Sequence, residues 1–242
     1  MQVNGLLLID KPKGWTSFDV VAKVRGVLRA EQKRLLAAGE LLGTHGKPKV
    51  GHTGTLDPLA TGLLVLVIGS YTKKVPELTK QNKSYEVEVY LGATSTTDDA
   101  EGEKTAVSTR QPSEQEVRDA LTSFIGESQQ LPPRFSAIKV GGVKAYDAAR
   151  KGKALELKPR TVHIYDIANL TYAYPYVTFT AKVGSGTYIR SLARDVGDKL
   201  GTGAYVQELR RTEVGTYHIR DAISPEDITP DIIAKSVITV IS

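Results

Sequence analysis

One stretch gathers residue types that can do chemistry: Val50-Gly-His-Thr-Gly-Thr-Leu-Asp-Pro-Leu-Ala-Thr-Gly62. It holds one carboxylate, Asp57, with Pro58 directly behind it and Gly51 and Gly54 ahead. Proline fixes its own φ and steers the preceding residue out of the α region, towards an extended backbone. Glycine permits turn conformations that a Cβ resists. A carboxylate held this way points in one direction, and His52, Thr53 and Thr55 lie just before it. An isolated Asp-Pro is ordinarily a turn closed by an Asx-type bond. The remaining chain must decide whether Asp57 reacts.

Composition narrows the chemistry. The chain contains no cysteine, which excludes disulfides, thiolate zinc sites, iron–sulfur clusters and thiol nucleophiles. Its four histidines (His45, His52, His163, His218) form neither an i,i+4 pair nor a His-Glu-x-x-His pattern, so no histidine metal site is expected. A nucleophile must then be Asp, Glu, Ser, Thr, Lys or Tyr. With 242 residues, 40% of them hydrophobic and 24% charged, the chain suits a soluble globular protein with a sizeable core. The longest apolar run, Leu63-Leu-Val-Leu-Val-Ile68, is far short of a membrane span, and the N-terminus lacks a signal layout. A cytoplasmic protein is expected.

The formal charge of +5 is concentrated at one end. Residues 1–50 carry nine Lys/Arg against four Asp/Glu, which accounts for the whole excess. Such a concentration suits a phosphate-facing surface, although a solvated basic face has the same composition.

The elements that must position Asp57 follow from apolar spacing. Gly5–Asp10 reads as a short buried strand, and Pro12 and Gly14 mark a turn after it. Thr16 or Ser17 can cap a helix with Phe18, Val21, Val24 and Leu28 at apolar positions. Residues 31–49 break that rhythm: 31–42 could form another helical piece, and 44–49 a basic loop. Leu63–Ile68 reads as a buried strand. Residues 84–91 alternate with period two, so Tyr85, Val87, Val89 and Leu91 share a face. Ser113-Glu-Gln-Glu116 opens a capping-box helix. Residues 160–174 and 176–183 suggest a hairpin around Pro175, followed by a helix with Ile189, Leu192, Ala193 and Val196 inward. The fold class expected is α+β, with a mixed, mainly antiparallel sheet flanked by helices and loops.

Taken together, Asp10-Lys-Pro-Lys-Gly-Trp-Thr-Ser17, Gly51-His-Thr-Gly-Thr-Leu-Asp-Pro58, Lys83-Ser-Tyr85, Gly186-Thr-Tyr-Ile-Arg190 and Leu209-Arg-Arg211 resemble the ordered motifs of the TruB family. These are tRNA pseudouridine-55 synthases. The resemblance spans about residues 5–220, nearly the whole chain. It implies a pseudouridine-synthase-type fold in a single catalytic domain, 1–242, with no cofactor and tRNA (its T-stem-loop) as partner. No protein partner is implied. The reaction would isomerise a T-loop uridine: the nucleotide is flipped into a pocket, the base is detached at N1, and it is rejoined through C5. Asp57 matches the catalytic aspartate.

His52 matches a histidine that fills the gap left by the flipped base, and Tyr85 a tyrosine that stacks on the target base. Tyr188 falls on the pocket wall. Arg190 matches an arginine paired with the catalytic aspartate, keeping it ionised and aimed. Leu209 matches an apolar residue lining the uracil site. Lys11, Arg210 and Arg211 are candidate backbone phosphate contacts, with solvated charge as the equal alternative.

Two departures stand out. Residues 31–49 are longer than the corresponding connection and basic, so this insertion is expected to add RNA contact. Many relatives continue into a C-terminal RNA-binding PUA domain, for which the short extension after about residue 220 leaves too little chain. That keeps two other functions open: a synthase with a different or broader RNA target, and a tRNA-binding folding chaperone with secondary catalysis.

Overall fold

The structure is a computed structural model and describes residues 3–41, 46–136, 138–150 and 155–239. The elements run β1 (Gly5–Lys11), α1 (Ser17–Ala37), β2 (Val50–His52), β3 (Thr61–Ile68) and α2 (Val75–Leu78). Next come β4 (Lys83–Leu91), β5 (Ala93–Ser95), β6 (Lys104–Ala106), α3 (Glu114–Thr122), β7 (Gly126–Gln130), β8 (Lys139–Val140) and β9 (Val143–Lys144). The last group is α4 (Ala145–Arg150), β10 (Arg160–Ala173), β11 (Tyr176–Val183), α5 (Ile189–Leu200), β12 (Ala204–Val214), β13 (Tyr217–His218) and α6 (Pro230–Ser236). The chain divides into two compact units, residues 1–83 with 210–242, and residues 84–209.

The first unit is built on β3. Strand β1 pairs with it antiparallel from Gly5↔Ile68 to Lys11↔Gly62, and β2 pairs antiparallel from Val50↔Ile68 to His52↔Leu66. The end of β12 joins it in parallel, with Arg211 opposite Gly62. Leu6, Leu8, Leu63, Val65 and Val67 cluster with Tyr71 and Val214, while Leu7, Ile9, Leu64 and Leu66 are equally buried. Both faces of these strands are therefore covered, which is why their sequences are unbroken apolar runs rather than alternations.

Helix α1 starts at the cap expected for it. Thr16 accepts from Asp19 N, and the Asp19 carboxylate accepts from Thr16 N in return. Two expectations about α1 need correction. It continues unbroken to Ala37, so residues 31–37 of the expected insertion belong to the same helix. Its buried residues are Ser17, Val20, Val21 and Val24, whereas Phe18 is 64% exposed. The inward stripe is set by 20, 21 and 24, which lie three and four residues apart, and Phe18 falls to one side of it. Residues 42–45 of the expected insertion, which include the first two of the basic loop, lie outside the described residues.

In the second unit the strand order is β12-β4-β11-β10-β7. Strand β4 alternates as read, with Tyr85, Val87, Val89 and Leu91 buried, and Lys83 begins the same buried face. The β10–β11 hairpin is antiparallel, as is the β10–β7 pair. Helix α5 buries Ile189, Leu192, Ala193 and Val196. The α+β, mainly antiparallel expectation holds. Among the described residues no helix is long and apolar enough to cross a membrane.

Candidate active site

In the first unit, the loop carrying Asp57 connects β2 to β3 and is braced mainly through its backbone. Ser17 Oγ receives a hydrogen bond from Leu56 N at 2.8 Å and donates to Leu56 O at 2.9 Å. These two bonds pin the residue before Asp57 to the start of α1. Behind Asp57, Gly14 N donates to Pro58 O at 2.8 Å, and Ala60 N donates to Asp57 O at 3.1 Å. Thr53 N donates to Val65 O at 3.1 Å. Asp57 itself is half-buried.

Two buried cations complete the brace. Lys11 and Arg211 flank Gly62 on the two strands bordering β3 and are 0% and 2% exposed. The Arg211 guanidinium donates to Leu63 O at 2.8 Å, Gly54 O at 3.0 Å and Thr55 O at 3.4 Å. Lys11 Nζ donates to Trp15 O at 2.6 Å, Pro12 O at 3.0 Å and Pro58 O at 3.4 Å. A fork of five N–H donors suits Arg211 to several carbonyls at once, and a rotatable ammonium suits Lys11 to a tight turn. Both residues were candidates for phosphate contact. Their burial overturns that assignment, because charges committed to interior carbonyls cannot meet a surface backbone. Arg210 differs: it is half-exposed and forks onto Asp10 at 2.7 and 3.1 Å.

Glycine is required where the brace is tightest. Gly62 has φ +99°, and a Cβ there would stand 2.3 Å from Arg211 O and 2.8 Å from Arg211 N. Gly54 lies under the same arginine, with its Cβ position 3.6 Å from Arg211 Nη1 and 3.5 Å from Lys83 Cε. Lys83 thus approaches the loop as well, and its Nζ donates to Thr79 O at 3.1 Å and Gln81 O at 2.5 Å. Burial and the nearby Arg211 charge bring the Lys83 amine down to about 8. The same two causes, burial first, hold the His52 imidazole below its ordinary value. His52 is therefore neutral near pH 7, and its Nδ1 is buried without a hydrogen-bond partner among the described residues.

In the second unit, Arg190 is 5% exposed near the start of α5. It donates to Phe135 O at 2.8 Å and Thr97 O at 3.0 Å and stands 3.4 Å from the Asp99 carboxylate, itself 2% exposed. Asp99 also accepts from Glu101 N at 3.1 Å and from the Thr97 hydroxyl. Tyr188 is the N-cap residue of α5 and is half-buried; its N–H and C=O are both taken by the Gln130 amide, at 2.8 and 3.1 Å. Tyr85 is 8% exposed on β4, and Leu209 is half-buried on β12. Asp99 and Gln130 escaped the sequence reading, and Lys83 entered it only as part of Lys83-Ser-Tyr85, with no role of its own. The only local signals were the acidic turn of residues 94–102 and the place of Lys83 two residues before Tyr85 on an alternating strand.

The loop that carries Asp57 is braced by buried cations, and comparison with known proteins identifies the class of protein it belongs to. A profile described as "TruB family pseudouridylate synthase (N terminal domain)" matches residues 40–189. A second, "tRNA pseudouridylate synthase B C-terminal domain", matches residues 190–236. The chain is 42% identical to the tRNA pseudouridine synthase B of Ruegeria sp. (strain TM1040), over 97% of its own length and 72% of the relative's. It is 41% identical to that of Clostridium acetobutylicum, over 98% and 76%. The fold is similar to "Crystal Structure of a Cbf5-Nop10-Gar1 Complex", with TM-score 0.67 and 29% identity over 92% of this chain and 53% of that one. It is also similar to "Structure of H/ACA RNP bound to a substrate RNA containing 2'-deoxyuridine", with TM-score 0.64 and 27% identity over 92% and 51%. The chain spans about half the length of those two. It belongs to the TruB family of pseudouridylate synthases and is an isomerase of that class.

Proposed function

We propose that this enzyme isomerises a uridine of tRNA to pseudouridine, and that its target is the T-loop uridine at position 55. The two units would act as one catalytic domain. The N1–C1′ bond breaks, the detached uracil turns over, and a C5–C1′ bond forms; the C5 proton leaves to solvent and N1 gains one. Asp57 serves the sugar–base cleavage and needs no cofactor or metal. Arg190, its guanidinium held by Asp99 and two carbonyls, would contribute a fixed positive charge to the reaction. Neutral His52 would fill the gap left in the RNA stack. Tyr85 would stack on the base, and Tyr188 and Leu209 would line its pocket. Arg210, half-exposed, and the basic segment 31–49 would meet the backbone.

The observation that carries this reading is the braced Asp57 loop, Leu56 pinned by Ser17 and Gly54 and Thr55 by Arg211. Binding alone would not need a fixed carboxylate facing a polyanion. The names of the two bacterial relatives support tRNA as substrate. The test is tritium release from [5-³H]uridine-labelled tRNA, with and without replacement of the T-loop uridine. Release should vanish with that one replacement. Release that continues unchanged would move the target elsewhere.

A further inference from the structure

Phe18 is the most exposed large hydrophobic residue among those described, at 64%. A single exposed apolar side chain is ordinary and needs no function. Four observations set this one apart. Phe18 follows Ser17, whose hydroxyl holds both the N–H and the C=O of Leu56, the residue before Asp57. The Arg25 guanidinium lies 5.9 Å from the Phe18 ring centroid, and its Nη2 donates to Val50 O at 3.0 Å. The ring is thereby tied to both ends of the reactive loop, to Leu56 through its neighbour and to Val50 through its arginine. The nearest acid in sequence, Asp19, is engaged by Thr16 N and Oγ1 in the helix cap. Phe18 also belongs to the segment, residues 1–50, that holds the whole positive excess of the chain, including Lys13, Lys23, Arg25 and Arg29.

We infer that Phe18 and Arg25 form a stacking platform for an unpaired base of the RNA substrate, beside the nucleotide delivered to Asp57. An exposed aromatic face accepts any base, and a guanidinium next to it adds cation–π attraction and neutralises phosphate. Phenylalanine carries no polar group to specify a partner, so the platform contributes affinity and register rather than base identity. RNA is the occupant that matches the charge: a polyanion fits an arginine-flanked ring in a basic segment beside a reactive loop better than a protein surface does. The inference rests on the proposed action on tRNA.

The experiment measures KM and kcat for tritium release from labelled tRNA with wild type, Phe18→Ala, Phe18→Leu and Phe18→Trp. Phe18→Ala should raise KM about 10-fold with a smaller effect on kcat, from the loss of one base–aromatic stack. Phe18→Trp should restore it, and Phe18→Leu should not, because a leucine of similar bulk offers no ring face. Thermal melting should be unchanged in all three, since the side chain is exposed. A wild-type KM in Phe18→Ala, or rescue by Phe18→Leu as complete as by Phe18→Trp, overturns the platform while leaving the tRNA activity standing. No release by wild type itself removes both.

Discussion

Replacing Arg211 by methionine tests how the site is held together. The side chain is 2% exposed and donates to the carbonyls of Leu63, Gly54 and Thr55 at 2.8, 3.0 and 3.4 Å. Hydrogen bonds to a charged group contribute about 1.5–3 kcal/mol each, and the longest of these three counts for little. Methionine keeps the apolar stem but strands at least two buried carbonyls, so the loss should be about 3–5 kcal/mol. For a chain of this size that corresponds to a drop in Tm of roughly 10 °C. Turnover should fall even at temperatures where the variant is folded, because two carbonyls just before Asp57 lose their anchor. Arg211→Lys should fall between, since one ammonium cannot fork onto all three oxygens. The arginine also has an electrostatic reach. Its charge is the second cause, after burial, of the lowered His52 titration. In Arg211→Met the His52 midpoint should move up without reaching that of free imidazole, because burial remains. Calorimetry and an NMR titration of the histidine ring protons read both effects. A variant that melts within about 2 °C of wild type and leaves His52 unmoved would refute the brace.

Two further outcomes follow from the same region. Gly62→Ala should cost on the order of 3 kcal/mol or more and reduce activity, because its Cβ meets the Arg211 backbone at 2.3 Å and its φ of +99° disfavours any side chain; urea denaturation checks it. Lys83 should make stability rise with pH above about 8. The unfolded amine, near 10.5, holds its proton through a window in which the folded one has lost it, so raising the pH through that window favours the folded state by on the order of 2 kcal/mol. Below about 8 both forms are charged and the burial penalty is complete. The stability difference between wild type and Lys83→Met should therefore grow in favour of wild type from pH 8 towards 10.5, and a flat difference would remove Lys83 as its source.

The sequence made the local features of this site legible. Asp57 between its glycines and Pro58, the Thr16 and Ser113 caps, and the alternation of β4 are encoded within a few residues, where backbone chemistry decides them. What escaped was decided by partners far along the chain. Lys11 and Arg211 read as surface charge because side-chain type normally predicts exposure. They are buried because carbonyls 47 and 157 residues away, on Pro58 and Gly54, reach them. Asp99 looked like one acid in an acidic turn until Arg190 came to it across 91 positions. Phe18 misled in the opposite direction: its helical spacing from Val21 fits a core stripe, but the packing chose Val20, Val21 and Val24. Periodicity finds a helix more reliably than it finds which edge of the apolar stripe is covered.

These buried cations also change the meaning of the motifs that carry them. Asp10-Lys-Pro-Lys-Gly-Trp15 and Leu209-Arg-Arg211 need not touch RNA through Lys11 and Arg211 to matter for the reaction. They hold the carbonyls on either side of Asp57, and the carboxylate inherits its direction from them.

The most direct test of that account is tritium release by Asp57→Asn, an isosteric change that keeps the loop and removes the charge. The variant should melt near the wild-type temperature, bind tRNA, and release no tritium above background. Turnover persisting in a folded Asp57→Asn would contradict the assignment of Asp57 as the reacting group.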